Sequence, residues 1–134
     1  MNEILVQAMS FILISFLWGS TNPLLKIGSQ GVENIYASPE IYTFPKIWQF
    51  ILEWKFLLSN YKYIIPLFLN LFGSVLYYKL LGSSDITLAI PIANSLTFVF
   101  TCLIGHLLGE PISLSLLLNM LLIIAGIALC ILGK

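Results

Sequence analysis

The sequence contains no arginine and very few charged residues of any kind. Only 9% of its 134 residues are charged, whereas a soluble domain carries roughly 25%. So few charges cannot cover a surface with groups that water solvates, which argues against a soluble globular domain. The formal net charge is zero, and phosphate recognition usually depends on arginine and on basic patches, so nucleic-acid binding is excluded as well.

The residues that usually carry chemistry are equally scarce. The chain has one histidine, His106, one aspartate, Asp85, and two cysteines, Cys102 and Cys130, both within apolar runs. A disulfide framework would place its cysteines in polar loops, and a metal site would need ligands at defined spacings. No glycine-rich phosphate loop is present either. We therefore predict no catalytic residue, no metal site and no cofactor, and we do not expect an enzyme.

Long apolar segments make up most of the sequence. Hydrophobic residues account for 59% of the chain and its mean hydropathy is +0.99. A bilayer core about 30 Å thick requires about 20 apolar residues in a helix. Four stretches qualify, at about 4–26, 61–81, 87–108 and 114–132. The sequence therefore predicts one membrane domain, 1–134, with an all-α fold: an integral membrane four-helix bundle in contact with the lipid bilayer.

The first stretch is predicted to be a span and not a cleaved signal peptide. It has no positively charged segment before it. Its apolar run is also longer than the roughly 7–15 residues typical of a signal peptide.

The first connection is long and contains most of the charge. Its segment 45–58 has polar and apolar residues on opposite sides at helical spacing, which is typical of an amphipathic helix. Trp48 and Trp54 suit the lipid headgroup zone. We predict a short interfacial helix between spans 1 and 2, with Trp48, Trp54 and Lys26 as interfacial anchors. A helix packed across the bundle remains the alternative.

The lysines favour one orientation. The other two connections are short turns around Gly82 and Gly109, so neighbouring spans should be antiparallel. Four lysines then lie on the side of the first connection and two on the opposite side: Lys26, Lys46, Lys55 and Lys62 against Lys79 and Lys134. The excess favours a cytoplasmic first loop with outside termini. Insertion in both orientations stays open, and the sequence does not indicate which membrane holds the protein.

Polar residues inside the predicted spans are the candidates for a functional site. An intramembrane polar group costs free energy unless it is paired, so it normally faces other helices or a cavity. Transporter sites tend to lie near the midplane. The substrate-cavity candidates are Asn22, Asn70, Tyr77, Asn94 and Ser95. Ordinary packing between helices is the alternative for each of them.

Three residues are candidates for a hinge or helix break. Gly19 and Pro23 in the first span and Pro91 in the third would loosen a helix and free backbone carbonyl groups. Such a position suits a substrate or a hinge. For Gly19 and Pro23, the end of a membrane helix is an equally good interpretation.

Several short motifs occur in an order that resembles a known family. Residues 18–26, Trp-Gly-Ser-Thr-Asn-Pro-Leu-Leu-Lys, look like the first-helix signature of the drug/metabolite transporter superfamily, and 23–26 match the version of the transmembrane protein 234 family. Further similarity lies at 70–78, 85–95, 108–111 and 124–129. The resemblance covers nearly the whole chain apart from about 28–60.

The resemblance implies a compact helical bundle and the transport of small organic solutes. The four-helix members of the superfamily, the small multidrug resistance proteins, act as antiparallel homodimers with a glutamate inside the first helix. Here the interior of the first span holds Gln7 and Ser10 but no carboxylate, which argues against proton-coupled export of cationic drugs.

Two hypotheses follow for the function. The first is a carrier of an unknown small organic solute, or a protein derived from such a carrier, that acts as a homodimer. The alternative is a non-transporting membrane protein that assists the assembly or trafficking of partner membrane proteins.

Overall fold

The structure, a computed structural model, describes residues 2–82 and 86–133. The described residues form helices and no strands, which confirms the all-α prediction. The α-helices are α1 (Asn2–Ser29), α2 (Lys46–Ser59), α3 (Tyr61–Leu81), α4 (Ile86–Leu107) and α5 (Leu114–Leu132). Two short 3₁₀ helices, Val32–Ala37 and Pro39–Thr43, join α1 to α2. Asp85 and Lys134 lie outside the described residues.

Three stretches are long and apolar enough to cross a membrane by length and composition. They are Leu5–Ala37, which contains most of α1, then α3 itself, and Ala89–Leu107 in α4. A fourth apolar helix, Leu114–Cys130 in α5, is shorter. The predicted helix bounds agree with the observed ones to within three residues. Polar caps mark the start of two of these helices: the Asn60 side chain accepts a hydrogen bond from the Lys62 backbone N–H at 3.1 Å at α3, and Ser113 accepts one from the Leu116 backbone N–H at 3.1 Å at α5.

Helix α1 is the centre of the molecule and packs against both α3 and α4. The residues buried in these interfaces are mostly small: Ser15, Gly19, Thr21, Gly28, Gly73, Ala89, Ala93 and Gly105. Small residues allow the backbones of membrane helices to approach closely, so that dispersion forces can hold them together. At Gly19, a Cβ atom would overlap the Cβ of Phe100 and would lie 2.8 Å from the carbonyl oxygen of Thr97.

The contacts also give the directions of the helices. Going along α1, Ser15 bonds to Ala93 and Lys26 bonds to Glu110, so α1 and α4 run parallel. By contrast, Trp18 contacts Tyr77, and the later residue Gly28 approaches Lys62, so α3 runs antiparallel to α1. Helix α5 packs on α4.

Polar contacts hold helix α2 on one side, and most of its large apolar side chains are exposed. The Gln49 amide donates hydrogen bonds to the carbonyl oxygens of Ile41 and Phe44, each at 3.1 Å. The hydroxyl of Tyr36 donates to the carboxylate of Glu53. No residue of α2 is buried, and the exposed ones include Ile47, Trp48, Phe50, Ile51, Trp54 and Leu58.

The expected helix breaks do not end any helix. Helix α1 continues through Gly19 and Pro23 to Ser29, and α4 continues through Pro91. A proline removes one backbone donor, but a membrane helix tolerates this loss when neighbouring groups satisfy the freed carbonyl. The structure instead gives Gly19 a packing role against α4. A hinge at these positions stays a prediction.

Candidate intramembrane polar site

A polar cluster lies in the interface between α1 and α3. The indole N–H of Trp18 donates to the backbone carbonyl of Asn70 at 3.1 Å. The amide of Asn70 donates to the hydroxyl of Thr21 at 2.8 Å. The rings of Trp18 and Tyr77 pack with their centroids 5.0 Å apart. Two predicted site residues, Asn70 and Tyr77, therefore both contact α1 in the same interface.

The local sequence explains how this cluster forms. The Thr21 hydroxyl donates to the carbonyl oxygen of Leu17, one turn earlier, at 2.7 Å, and this leaves its lone pairs available to Asn70. Gly73 provides room for the indole, because a Cβ there would lie 3.1 Å from Trp18 Nε1. Thr21 is only 1% exposed, so the bond to Asn70 is shielded from lipid.

The cluster keeps unused hydrogen-bonding capacity. Among the described residues, no hydrogen bond reaches Asn70 Oδ1 or the Tyr77 hydroxyl. An amide oxygen accepts, and a phenol donates and accepts. Together they could orient a polar group of a small molecule, while the remaining contacts of the cluster hold α1 against α3.

A second set of polar contacts joins α1 to α4. Ser15 Oγ donates to the carbonyl oxygen of Ala93 at 3.1 Å in the buried interface. Asn22 Nδ2, an exposed group, donates to Thr101 Oγ1 at 3.3 Å. Nearby, the hydroxyl oxygen of Thr97 is buried and has no partner among the described residues. The predicted site residue Asn22 therefore faces α4 and not the cluster around Asn70.

An ion pair closes the same interface at the end of α1. Lys26 Nζ lies 2.7 Å from Glu110 Oε1, with the two side chains 67% and 49% exposed. Lys26 is predicted from the sequence as an interfacial anchor, and its partner Glu110 is a residue that the prediction does not include. The pairing can be anticipated from the topology, because the first and third spans run in the same direction, so that Lys26 and Glu110 follow them on the same side of the bundle.

Asn94 and Ser95 lie elsewhere. Asn94 is exposed on α4 and makes no hydrogen bond with a described residue. Ser95 lines a cavity of about 240 Å³ between α4 and α5, together with Pro91, Ile92, Ile123, Gly126, Ile127 and Cys130. Within one chain, the five predicted residues thus occupy four places: the α1/α3 interface, the α1/α4 interface, the exposed surface of α4 and the α4/α5 cavity.

The described residues contain no group of three or more His, Cys, Asp or Glu side chains that could hold a metal ion. The two cysteines are free thiols, half-buried at Cys102 and exposed at Cys130. The polar groups that the site residues described above offer are therefore amides, hydroxyls and an indole, which form hydrogen bonds.

An all-helical chain with several apolar helices capable of crossing a membrane is a multi-pass integral membrane protein. Comparison with known proteins gives the particular family. The family model of transmembrane family 234 matches residues 11–131, and the chain belongs to this family. The sequence resemblance to the transmembrane protein 234 family is thereby confirmed.

Two curated relatives match along almost their whole length. The transmembrane protein 234 homolog of Dictyostelium discoideum is 40% identical over 126 residues, which cover 93% of this chain and 94% of the relative. The homolog of Anopheles gambiae is 39% identical over 127 residues, which cover 94% and 86%. No solved structure matches the chain.

Proposed function

We propose that this protein is a small-solute carrier, or a protein derived from one, of the drug/metabolite transporter superfamily. In this proposal α1, α3, α4 and α5 cross the membrane, α2 lies on its surface, and two copies form the working unit. The helix directions support this topology. Helix α3 is antiparallel to α1 and α4 is parallel to it, as expected when the chain crosses once in α1 and returns in α3 without a crossing between them.

The exposure of Asn94 is the observation on which the proposal mainly rests. Its amide lies on an apolar helix and finds no partner within the described chain. Lipid tails cannot hydrogen-bond an amide, and intramembrane polar residues normally face a bundle interior or a water-filled cavity. A covering structure is therefore needed, and a solute path between two copies provides it.

The size of the chain supports a dimer. Each copy buries mainly the small residues between α1 and its two neighbours. Helix α5 packs mainly on α4, so most of its surface is left for a second copy. Two copies related by a two-fold axis would present the same surface to each other. The Asn94 amides, each a donor and an acceptor, would then lie along the path and bind polar groups of the solute.

Thermal stability of the detergent-purified protein tests the carrier. A panel of metabolites, nucleotide sugars, amines and lipids is added, because a ligand of the folded state stabilises it by about 2.7 kcal/mol at a hundredfold excess over its dissociation constant. We expect a dose-dependent shift in the wild type that disappears in Asn94→Leu. Folding should survive this change, because the Asn94 side chain is exposed and forms no hydrogen bond with the described residues of the chain.

Asn119→Leu provides the matched control. Asn119 is also an exposed asparagine on an apolar helix, but it lies in the second turn of α5, near the proposed membrane surface, where a polar side chain can reach water without a covering structure. It is not among the predicted cavity residues. Retention of the shift in Asn119→Leu and its loss in Asn94→Leu would support the carrier. A flat panel with folded protein would argue against it.

The same exposure of Asn94 also suits the second candidate function, assembly with other membrane proteins. Cysteine trapping from Asn94→Cys, in a chain with Cys102 and Cys130 replaced by alanine, separates the two. Symmetric trapping between copies supports the dimeric carrier. Trapping only to foreign helices supports the role in assembly or trafficking.

A further inference from the structure

A second cavity, which is shallow and open to the surface, lies outside the membrane-crossing helices, between the two 3₁₀ helices and α2. Its volume is about 440 Å³, within the range of about 300–1,000 Å³ that small-molecule sites occupy. Its lining is polar on Asn34, Ser38, Lys55 and Ser59 and apolar on Ile35, Ile41, Leu52 and Phe56. A cavity with both kinds of lining fits a ligand that is itself amphipathic.

Lys55 is the charged group of this lining. It makes no ion pair with any described residue. Two acids of this segment have hydrogen-bond donors of their own: Glu53 accepts a hydrogen bond from Tyr36, and Glu33 accepts one from the Gly31 backbone N–H at 3.2 Å. The third, Glu40, is exposed and does not line the cavity. The polar lining of the cavity thus combines one ammonium group, two hydroxyls and one amide, a set of donors that matches a phosphate.

The cavity lies at one end of the membrane-crossing helices. Its segment begins directly after α1 and ends where α3 starts, so both flanks emerge from the bilayer on the same side. On α2, Trp48 is 54% and Trp54 42% exposed. Exposed tryptophans of an amphipathic helix are enriched at the level of the lipid headgroups.

We propose that this cavity binds an anionic phospholipid. The phosphate lies at Lys55 and accepts hydrogen bonds from Ser38, Ser59 and Asn34, while the glycerol and the first acyl carbons lie against Leu52 and Phe56. Free phosphate would leave the apolar half unused. A choline headgroup would bring a second cation close to Lys55, and like charges repel, so a lipid with net negative charge is favoured.

Native mass spectrometry of the full-length protein, with phosphatidylglycerol or phosphatidylcholine added at equal concentration, tests the proposal. We expect phosphatidylglycerol to remain bound and phosphatidylcholine to bind at least five-fold less. In Lys55→Gln the retained phosphatidylglycerol should fall at least five-fold. Lys46→Gln is the matched control, because Lys46 is an exposed lysine of the same helix that does not line the cavity.

A second variant keeps the test decisive if Lys55→Gln folds poorly. Ser59→Leu preserves every charge and places an apolar side chain in the polar half, so it should also lose the lipid. Equal losses in Lys55→Gln and Lys46→Gln would mean general attraction to a basic helix and would overturn the proposal. So would equal binding of the two lipids, or displacement of the lipid by inorganic phosphate at millimolar concentration.

Discussion

At the residue scale, the polar side chains between α1 and α3 bond mostly to one another and to the backbone. The backbone carbonyl of Asn70 accepts a hydrogen bond from the Trp18 indole, and its side-chain amide donates one to the Thr21 hydroxyl. An asparagine in such a position stabilises the fold as well as offering an acceptor to a ligand. Loss of Asn70 would therefore not by itself reveal a substrate site, which is why the exposed Asn94 is the better residue for testing transport.

A double-mutant cycle on Thr21 and Asn70 measures this bond. Thr21→Val keeps the shape and removes the acceptor, and Asn70→Leu removes the donor. Hydrogen bonds between membrane helices contribute about 0.6 kcal/mol on average and at most about 1.7 kcal/mol, so we expect a coupling energy in this range. Reversible unfolding in mixed micelles gives the free energies. Strictly additive effects of the two substitutions would show that the bond contributes nothing to stability.

The spacing of Asn70 and Tyr77 puts both residues on one face of α3, but the sequence does not identify their partners on α1. Asn70 and Tyr77 are four and eleven residues after Pro66, a helical spacing that needs no knowledge of the fold. Trp18 and Thr21 belong to a helix whose few polar residues, such as Gln7, Ser15 and Ser20, are spread around its circumference and do not form one face. Its rotation about its own axis is therefore not fixed by a polar face, and it became visible only in the packed structure.

At the scale of elements, the close contact between α1 and α4 depends on the absence of a side chain at Gly19. An added Cβ would overlap Phe100 and approach the backbone of Thr97 and Thr101. We expect Gly19→Ala to lower the free energy of unfolding by about 1–3 kcal/mol, the usual cost of overpacking. Thermal unfolding followed by circular dichroism would detect the loss.

Gly126→Ala is the control for this prediction. It changes the same residue type within a helix, but a Cβ at Gly126 would meet no atom within 4 Å. The substitution should be neutral, or stabilising by up to about 1 kcal/mol through helix propensity. If both alanine variants melted at the wild-type temperature, the α1/α4 interface would be looser than the structure indicates.

The helices themselves were predictable because α1, α3, α4 and α5 coincide with long apolar runs and α2 has an amphipathic pattern. Their order in space was not. Helix α1 lies between α3 and α4 because Gly19 and Ser15 permit close approach on one side, and Gly73 permits it on the other. Lipid is as apolar as leucine, so hydrophobicity does not tell which side of a membrane helix meets another helix.

At the scale of the whole molecule, the ion pair between Lys26 and Glu110 brings the first connection and the α4–α5 connection to the same end. In a chain without Cys102 and Cys130, single cysteines at Ser38 and Ser113 should therefore react with a membrane-impermeant maleimide from the same side. A cysteine at Gly133 should react from the opposite side, since α5 crosses the membrane in our proposal.

Labelling of intact and of opened vesicles distinguishes the possibilities. If Ser38→Cys and Ser113→Cys reacted from opposite sides, the parallel arrangement of α1 and α4 would be wrong. If Gly133→Cys reacted from the side of Ser113→Cys, α5 would return without crossing. If every position reacted from both sides, the protein would insert in two orientations, as the small excess of lysines leaves open.

The parallel packing of α1 and α4 also sets a sequence of events during synthesis. The bonds of α1 to α3 join residues 49 and 52 positions apart, whereas its contacts with α4 and Glu110 join residues 78, 79 and 84 positions apart. Because a contact cannot form before both residues have been made, α1 can pair with α3 while α4 is still being translated. The side of α1 that holds Ser15, Gly19 and Asn22 must wait inside the bilayer, without its native partner, until the ribosome has passed Thr101.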